Sequence, residues 1–173
     1  MDVVPFALEA IEALGLVRRE ALEWLATNIV EHVDRGQARS IRASGHRLTS
    51  AQRIDRGLPA RGEPLSEEVW TALTLEGRSD PIASFDDTVA RVVKRARNAA
   101  RIIDAARHLR SGMFAGVVMA LPPGIGLCEA GLKQSGKFIP FPPELPLPGC
   151  DRRFCSCSWR IVTHREADRS RSK

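Results

Sequence analysis

Residues 84–110, SFDDTVARVVKRARNAARIIDAARHLR, form the longest regular pattern in the chain. Small or apolar residues recur there at alternating intervals of three and four, at positions 89, 92, 96, 99, 103 and 106. This spacing places them on one face of a helix, and Ser84 followed by Asp87 predicts a capping box at its start. Small residues let another helix approach closely. The pattern therefore predicts a long helix packed in a helical body, with a self-associating coiled coil as the alternative.

The N-terminal part of the chain predicts further helices for the same body. Residues 5–35 carry two apolar stripes at helical spacing, and Gly15 between them predicts a break. Ser66 is placed to cap a helix that runs to about Glu76. Residues 1–36 and 66–112 therefore make up the predicted helical body. Residues 37–65, which have no sustained periodicity and carry three glycines and two prolines, predict a basic loop or linker with one short helical turn near Thr49.

The chain has a formal net charge of +5 over 173 residues, and the positive charge is concentrated in two zones. Residues 37–62 hold six arginines against one acid, and residues 91–110 hold seven basic residues against one acid. Such zones favour a polyanionic partner, either DNA or an acidic protein, although a solvated helix face and a basic loop explain them equally well. The candidate contact residues are Arg39, Arg42, Arg47, Arg91, Lys94, Arg95, Arg97 and Arg101.

Composition excludes collagen, membrane proteins and disulfide-dense miniproteins, because 43% of residues are hydrophobic and 27% are charged. The N-terminus has neither a basic n-region nor a small-residue cleavage site, so we expect no secretory signal. The most apolar run, residues 113–121, is too short to span a bilayer. We therefore expect a protein of the cytoplasm or of a virion, with no membrane contact.

The composition changes after residue 112. Residues 113–121 predict a buried strand, and all four cysteines and a cluster of prolines follow it. Prolines exclude a helix through this stretch, so residues 113–163 predict a small, irregular β module. Residues 164–173 predict a flexible charged tail. The expected fold class is therefore mainly α with a small C-terminal β module.

The cysteines at positions 128, 150, 155 and 157 are candidate zinc ligands, because zinc prefers four soft ligands in a tetrahedron. The spacing C-x21-C-x4-C-x-C departs from the usual C-x2-C knuckle, and His164 could substitute for one ligand. Two other states stay open: a disulfide from Cys128 or Cys150 to Cys155 or Cys157, and reduced, mostly buried thiols.

No motif in the sequence predicts an enzyme. Residues 131–137 match the start of a phosphate-binding loop, but Phe138 replaces the required Ser or Thr and the prolines that follow exclude the necessary helix. Nucleophile, metalloprotease and glycosidase patterns are absent, and so is any motif for a small-molecule substrate.

Residues 128–159 resemble the C-terminal motif of the minor head (head-morphogenesis) proteins of Mu-like phages. The shared features are Cys128, the turn of residues 135–140, the proline-rich stretch, and the closing Cys155-Ser-Cys157 followed by Ser-Trp. The sequence departs from that motif where Gly131 replaces the second cysteine of the first pair and Ser135 replaces an aspartate. With the flanking residues, the resemblance covers about 45 residues, 118–162. It implies a structural protein of the phage head that acts in capsid assembly, with a capsid or portal-type protein as its partner and no catalytic residues.

Two further interpretations belong to other classes of protein. The first is a zinc-stabilised module or regulator that binds nucleic acid through the basic zones. The second is a domain whose helices bind a partner helix.

Overall fold

The computed structural model describes residues 2–32, 38–107, 114–120, 128–140 and 157–171. Its helices are α1 (Val4–Leu14), α2 (Leu22–Glu31), α3 (Ala38–Ala43), α4 (Ser50–Asp55), α5 (Glu67–Ala72), α6 (Pro81–Arg107), α7 (Glu129–Gln134) and α8 (His164–Arg171), and its strands are β1 (Phe114–Ala120), β2 (Phe138–Pro140) and β3 (Ser158–Thr163). The expected fold class, mainly α with a small β module, is confirmed. The chain forms two compact units, 2–93 and 94–173, and the boundary falls within α6.

The unit of residues 2–93 is helical and begins with the predicted pair of helices. α1 ends at Gly15, which adopts the left-handed conformation at φ 66° and caps the carbonyl of Ile11. A glycine adopts this conformation easily because it has no Cβ. The predicted break at Gly15 is therefore confirmed as the end of α1. A short 3-10 turn, Arg19–Ala21, leads into α2. The core of this unit includes Leu25, Ile29 and Phe85, all less than 2% exposed.

The short helical turn predicted near Thr49 is confirmed as α4, but the rest of the described residues 38–65 is more ordered than the predicted loop or linker. Residues 38–65 include α3 and α4, and they bury Ile41, Leu48 and Leu65. The backbone amide of Leu48 donates to the carbonyl of Leu65 at 3.0 Å, which ties the two ends of the segment together. The buried apolar residues are too few and too far apart to produce a periodic pattern, because arginines share the interior with them.

The long helix α6 begins three residues earlier than predicted. Asp80 accepts a hydrogen bond from the amide of Ala83 at 3.1 Å and precedes Pro81, a favoured first residue of a helix. Ser84, the predicted cap, is buried inside α6. The buried stripe follows Val89, Val92, Ala96 and Ala99 as predicted, but it continues at Ile102 and Ala105 instead of Ile103 and Ala106. Successive residues of an α-helix are about 100° apart, so positions 102 and 105 lie on a different face of α6 from positions 103 and 106. Ile102 packs in the core of the second unit, which explains why the buried face changes there.

The unit of residues 94–173 contains an antiparallel sheet in the order β2-β1-β3. β1 pairs with β3 from Ala120↔Ser158 to Phe114↔Thr163 and with β2 through Val117↔Ile139. Its buried core includes Ile102, Val117, Met119, Cys128 and Trp159. Gly116 allows the close approach of β2, because a Cβ there would lie 2.3 Å from the carbonyl oxygen of Ile139.

Two helices in this unit depart from the sequence prediction. α7 forms between the predicted strand and the prolines, and Cys128 caps it. α8 replaces the predicted flexible tail over residues 164–171; Thr163 and Glu166 form a reciprocal capping box, and Ala167 is buried. Most of the proline-rich stretch lies outside the described residues. Within the described ranges, no helix is long and apolar enough to cross a membrane.

Candidate cysteine centre and basic sites

Cys128 and Cys157, at the two ends of the cysteine-rich segment, lie side by side in the second unit. Their Sγ atoms are 3.6 Å apart. Cys128 occupies the N-cap of α7 and is 1% exposed, whereas Cys157 immediately precedes β3 and is half-buried. The amide of Gly131 donates to Cys128 Sγ at 3.2 Å.

Gly131 faces both sulfurs. A Cβ at this position would lie 2.5 Å from Cys157 Sγ and 3.2 Å from Cys128 Sγ. Both distances are shorter than van der Waals contact, so a side chain here would force Cys157 to move. The turn of α7 therefore directs positions 128 and 131 to one point, as a C-x2-C knuckle does, and position 131 provides space rather than a ligand.

The described pair of cysteines fits one edge of a zinc site. With Zn–S bonds of about 2.3 Å, two sulfurs of a tetrahedron lie about 3.8 Å apart. The observed separation of 3.6 Å is close to that value. Cys128 and Cys157 would thus hold the ion, and zinc would supply structural cross-linking. The separation also suits a hydrogen-bonded thiol pair, and a disulfide requires the sulfurs to close to about 2.05 Å.

The other predicted ligands are not brought to this pair in the described residues. Cys150 and Cys155 lie outside them. His164 is exposed at the start of α8. No group of three or more His, Cys, Asp or Glu side chains within the described ranges is arranged to hold a metal ion.

Two of the predicted contact arginines are buried in ion pairs of the first unit. Arg42 donates through Nε and Nη2 to the carboxylate of Asp86 at 2.7 and 3.2 Å and through Nη1 to the carbonyl of Pro64 at 2.8 Å. Arg91 pairs with both carboxylate oxygens of Glu9. Their side chains are only 4% and 3% exposed, so these arginines hold α6 to α3 and α1 instead of facing a partner.

The remaining predicted contact residues are accessible. Arg39 and Arg47 are exposed in the first unit, whereas Lys94, Arg97 and Arg101 are exposed on α6 in the second. Arg95 is half-buried. Positions 94, 97 and 101 share one face of the helix, which gives the second unit a basic surface stripe.

Arg53 and Arg61 join Arg39 and Arg47 around a cavity of about 420 Å³ in the first unit. Gly62 and Glu63 also line it. We call it the arginine cavity. All four arginines belong to the basic zone of residues 37–62, but the sequence alone does not bring them together. Their grouping depends on residues 58–63, which fold back to contact Arg53 of α4.

A second cavity of about 500 Å³ in the first unit is lined by Trp24, Ala72, Glu67, Glu68 and other residues. Glu67 accepts hydrogen bonds from Arg56, and Glu68 is 2.9 Å from the His46 ring. Burial opposes ionisation of Glu68, but hydrogen bonds to its carboxylate outweigh that effect and lower its pKa. Both carboxylates are thus engaged within the protein.

No protein-family model, curated protein or solved structure matches this chain.

Proposed function

We propose that the chain is a non-enzymatic structural or assembly protein of a phage or prophage head, similar to the minor head proteins of Mu-like phages. The observation that carries this proposal is the 3.6 Å separation of Cys128 and Cys157 Sγ. These two residues open and close the motif that resembles that family, and they are 29 positions apart in sequence. If the motif folds as one unit, its two ends must lie close together, and the short distance between Cys128 and Cys157 agrees with this requirement.

The position that departs from the motif also supports the proposal. Gly131 stands where the family motif has its second cysteine, and its missing Cβ would point at the two sulfurs. A cysteine at that position of the motif would thus be directed to the same centre. Around it, β1, β2 and β3 form one small sheet, and Cys128, the N-cap of α7, lies in the core of this unit. Such a unit is suited to docking on a capsid or portal-type protein.

The test is co-sedimentation with head particles. The tagged chain would be produced together with capsid and portal proteins taken from its own gene neighbourhood, and the particles would be separated on a density gradient. We expect the wild-type chain in the particle fraction. The double variant Cys128→Ser/Cys157→Ser should remain at the top of the gradient, whereas Leu132→Ala, an exposed change on α7, should sediment like wild type. Absence of the wild-type chain from every particle, or a gene neighbourhood without phage genes, would refute the proposal.

The second candidate function is a zinc-stabilised module that binds nucleic acid. It is favoured by the near-tetrahedral separation of the two sulfurs and by exposed Lys94, Arg97 and Arg101 in the same unit. It predicts about one zinc per chain by elemental analysis and DNA binding that weakens steeply with salt. Metal-free protein with no salt-sensitive binding would eliminate it.

A further inference from the structure

We propose that the arginine cavity of the first unit is a binding site for phosphate groups. The site belongs to residues 38–65 and is independent of the cysteine centre and of the head function proposed above. Arg39, Arg47, Arg53, Arg61, Gly62 and Glu63 contribute to its lining.

Arg53 forms the buried end of the site. The residue is 8% exposed, and its guanidinium is fixed by two hydrogen bonds, from Nε to the carbonyl of Pro59 at 2.7 Å and from Nη1 to the carbonyl of Glu63 at 3.1 Å. Carbonyl oxygens orient the group but do not neutralise its charge. Within the described part of the chain, Nη2 has no hydrogen-bond acceptor. A buried cation without a carboxylate favours an anionic ligand.

Gly62 leaves that nitrogen accessible. A Cβ at position 62 would lie 3.0 Å from Arg53 Nη2 and would cover it. Arg53 therefore differs from Arg42 and Arg91, the other buried arginines described, because each of those is paired with a carboxylate. Carboxylates thus neutralise the buried guanidinium groups of Arg42 and Arg91, whereas the guanidinium of Arg53 faces the cavity.

The rim of the cavity adds further positive charge. Arg47 and Arg61 are exposed, and neither has an ion pair among the described residues. Among the described lining residues Glu63 is the only carboxylate, and it lies 3.7 Å from both Arg39 and Arg42. With four arginines and one glutamate, the described part of the lining has a formal charge of +3.

Phosphate is the anion that this lining fits best. A guanidinium presents a planar fork that matches two phosphate oxygens, and several forks around one concavity suit a group with three or four oxygens. The cavity of about 420 Å³ is larger than one phosphate, so the phosphate would carry an organic group or a second phosphate. Since no aromatic residue is among its described lining, the base of a nucleotide would not be recognised by stacking. The cavity would therefore contact phosphate groups and not the base. These phosphates would belong either to a free nucleotide or to the backbone of a nucleic acid strand.

The test is binding of a fluorescein-labelled single-stranded oligonucleotide to the full chain at low salt, followed by fluorescence anisotropy. Arg47→Gln/Arg61→Gln should weaken binding by roughly tenfold, because charge-assisted hydrogen bonds are lost. The matched control Arg19→Gln/Arg165→Gln also removes two positive charges, but from exposed positions outside the cavity. It should change the affinity less than about twofold.

A variant without charge change separates the cavity from general electrostatics. Gly62→Ala covers Arg53 Nη2 and should weaken binding by several-fold at unchanged net charge, with circular dichroism to check that the fold is retained. Pyrophosphate should displace the oligonucleotide from the wild-type chain. Direct binding of a mononucleotide would identify a free nucleotide as the source of the phosphate, whereas binding of the oligonucleotide alone would identify a strand.

Three outcomes would overturn the proposal. The first is equal weakening by the cavity and control double variants. The second is displacement by polyglutamate but not by pyrophosphate, which would indicate an acidic protein partner. The third is the absence of any binding of oligonucleotide, mononucleotide and pyrophosphate at low salt.

Discussion

The two units of the chain differ in whether they bury positively charged side chains. In residues 2–93, the arginines at 42, 53 and 91 are buried and hold helices and loops together. In the second unit, the basic residues of α6 lie on the surface, and among its described residues no charged side chain is buried. Its core is apolar and includes the sulfur of Cys128. A basic zone in a sequence is therefore not by itself a basic surface.

The buried pair of Glu9 and Arg91 provides the largest test of this difference. Glu9→Ala leaves the guanidinium of Arg91, 3% exposed, without its carboxylate, and we expect a loss of about 4 kcal/mol in the free energy of unfolding. Glu12→Ala on the same helix is the control. Its carboxylate is 55% exposed and lies 3.7 Å from Arg19, so its removal should cost less than about 1 kcal/mol. Urea denaturation measures both, and equal losses would show that burial of the pair does not matter.

Gly131 tests the second unit in the same way. Alanine is the better helix former by about 1 kcal/mol, so propensity alone predicts that Gly131→Ala stabilises α7. The Cβ would lie 2.5 Å from Cys157 Sγ, and overpacking of this kind costs about 1–3 kcal/mol. We therefore expect a net destabilisation of about 1 kcal/mol by thermal or urea unfolding. The sign of the change in the free energy of unfolding distinguishes the two effects. Stabilisation by Gly131→Ala would mean that the sulfurs of Cys128 and Cys157 are not packed against α7.

Thr49 tests whether residues 37–65 are part of the first unit. Its side chain accepts from the amide of Gln52, and the Gln52 side chain accepts from the amide of Thr49, so the two form a capping box for α4. Thr49→Ala should lower the free energy of unfolding by about 1 kcal/mol. Ser50→Ala, one residue later and exposed, should change it by less than about 0.5 kcal/mol. No difference between the variants would indicate that α4 contributes nothing to the stability of the unit.

The parts of this fold that the sequence predicts are those encoded by neighbouring residues. The break at Gly15 and the stripe from Val89 to Ala99 follow from helical spacing, and both are present. α8 is also encoded locally, because Thr163 and Glu166 form a T-x-x-E capping box that the prediction of a flexible tail overlooked. Such features depend on contacts three or four positions apart.

The remaining features depend on contacts between distant residues. Glu9 and Arg91 are 82 positions apart, and Cys128 and Cys157 are 29 positions apart. Composition can identify these side chains as candidates but cannot pair them. Burial of Arg53 also depends on tertiary structure, because carbonyls of the following loop hold it. Residues 37–65 therefore predict a loop, because they are rich in arginine and lack apolar periodicity, although the described residues 38–65 contain two helices and buried side chains.

The smallest effect concerns the exposed end of the first unit, where His46 and Glu68 meet. Hydrogen bonds from the side chain and backbone of His46 hold the pKa of Glu68 below its ordinary value of 4.5, although burial acts in the opposite direction. The folded state thus binds a proton less readily than the unfolded state. This contribution to stability is fully present above pH 4.5 and is lost as the pH falls through the folded pKa. The Glu68 side chain is 34% exposed, so we expect a contribution of only about 0.3 kcal/mol to the free energy of unfolding.

Urea denaturation between pH 3 and pH 7 should show a shallower loss of stability at low pH for Glu68→Gln than for the wild type. His46→Ala should remove part of the same slope, and the two changes should not add in the double variant, because they delete the same contact. Fully additive effects would mean that Glu68 derives its low pKa from a different part of the first unit.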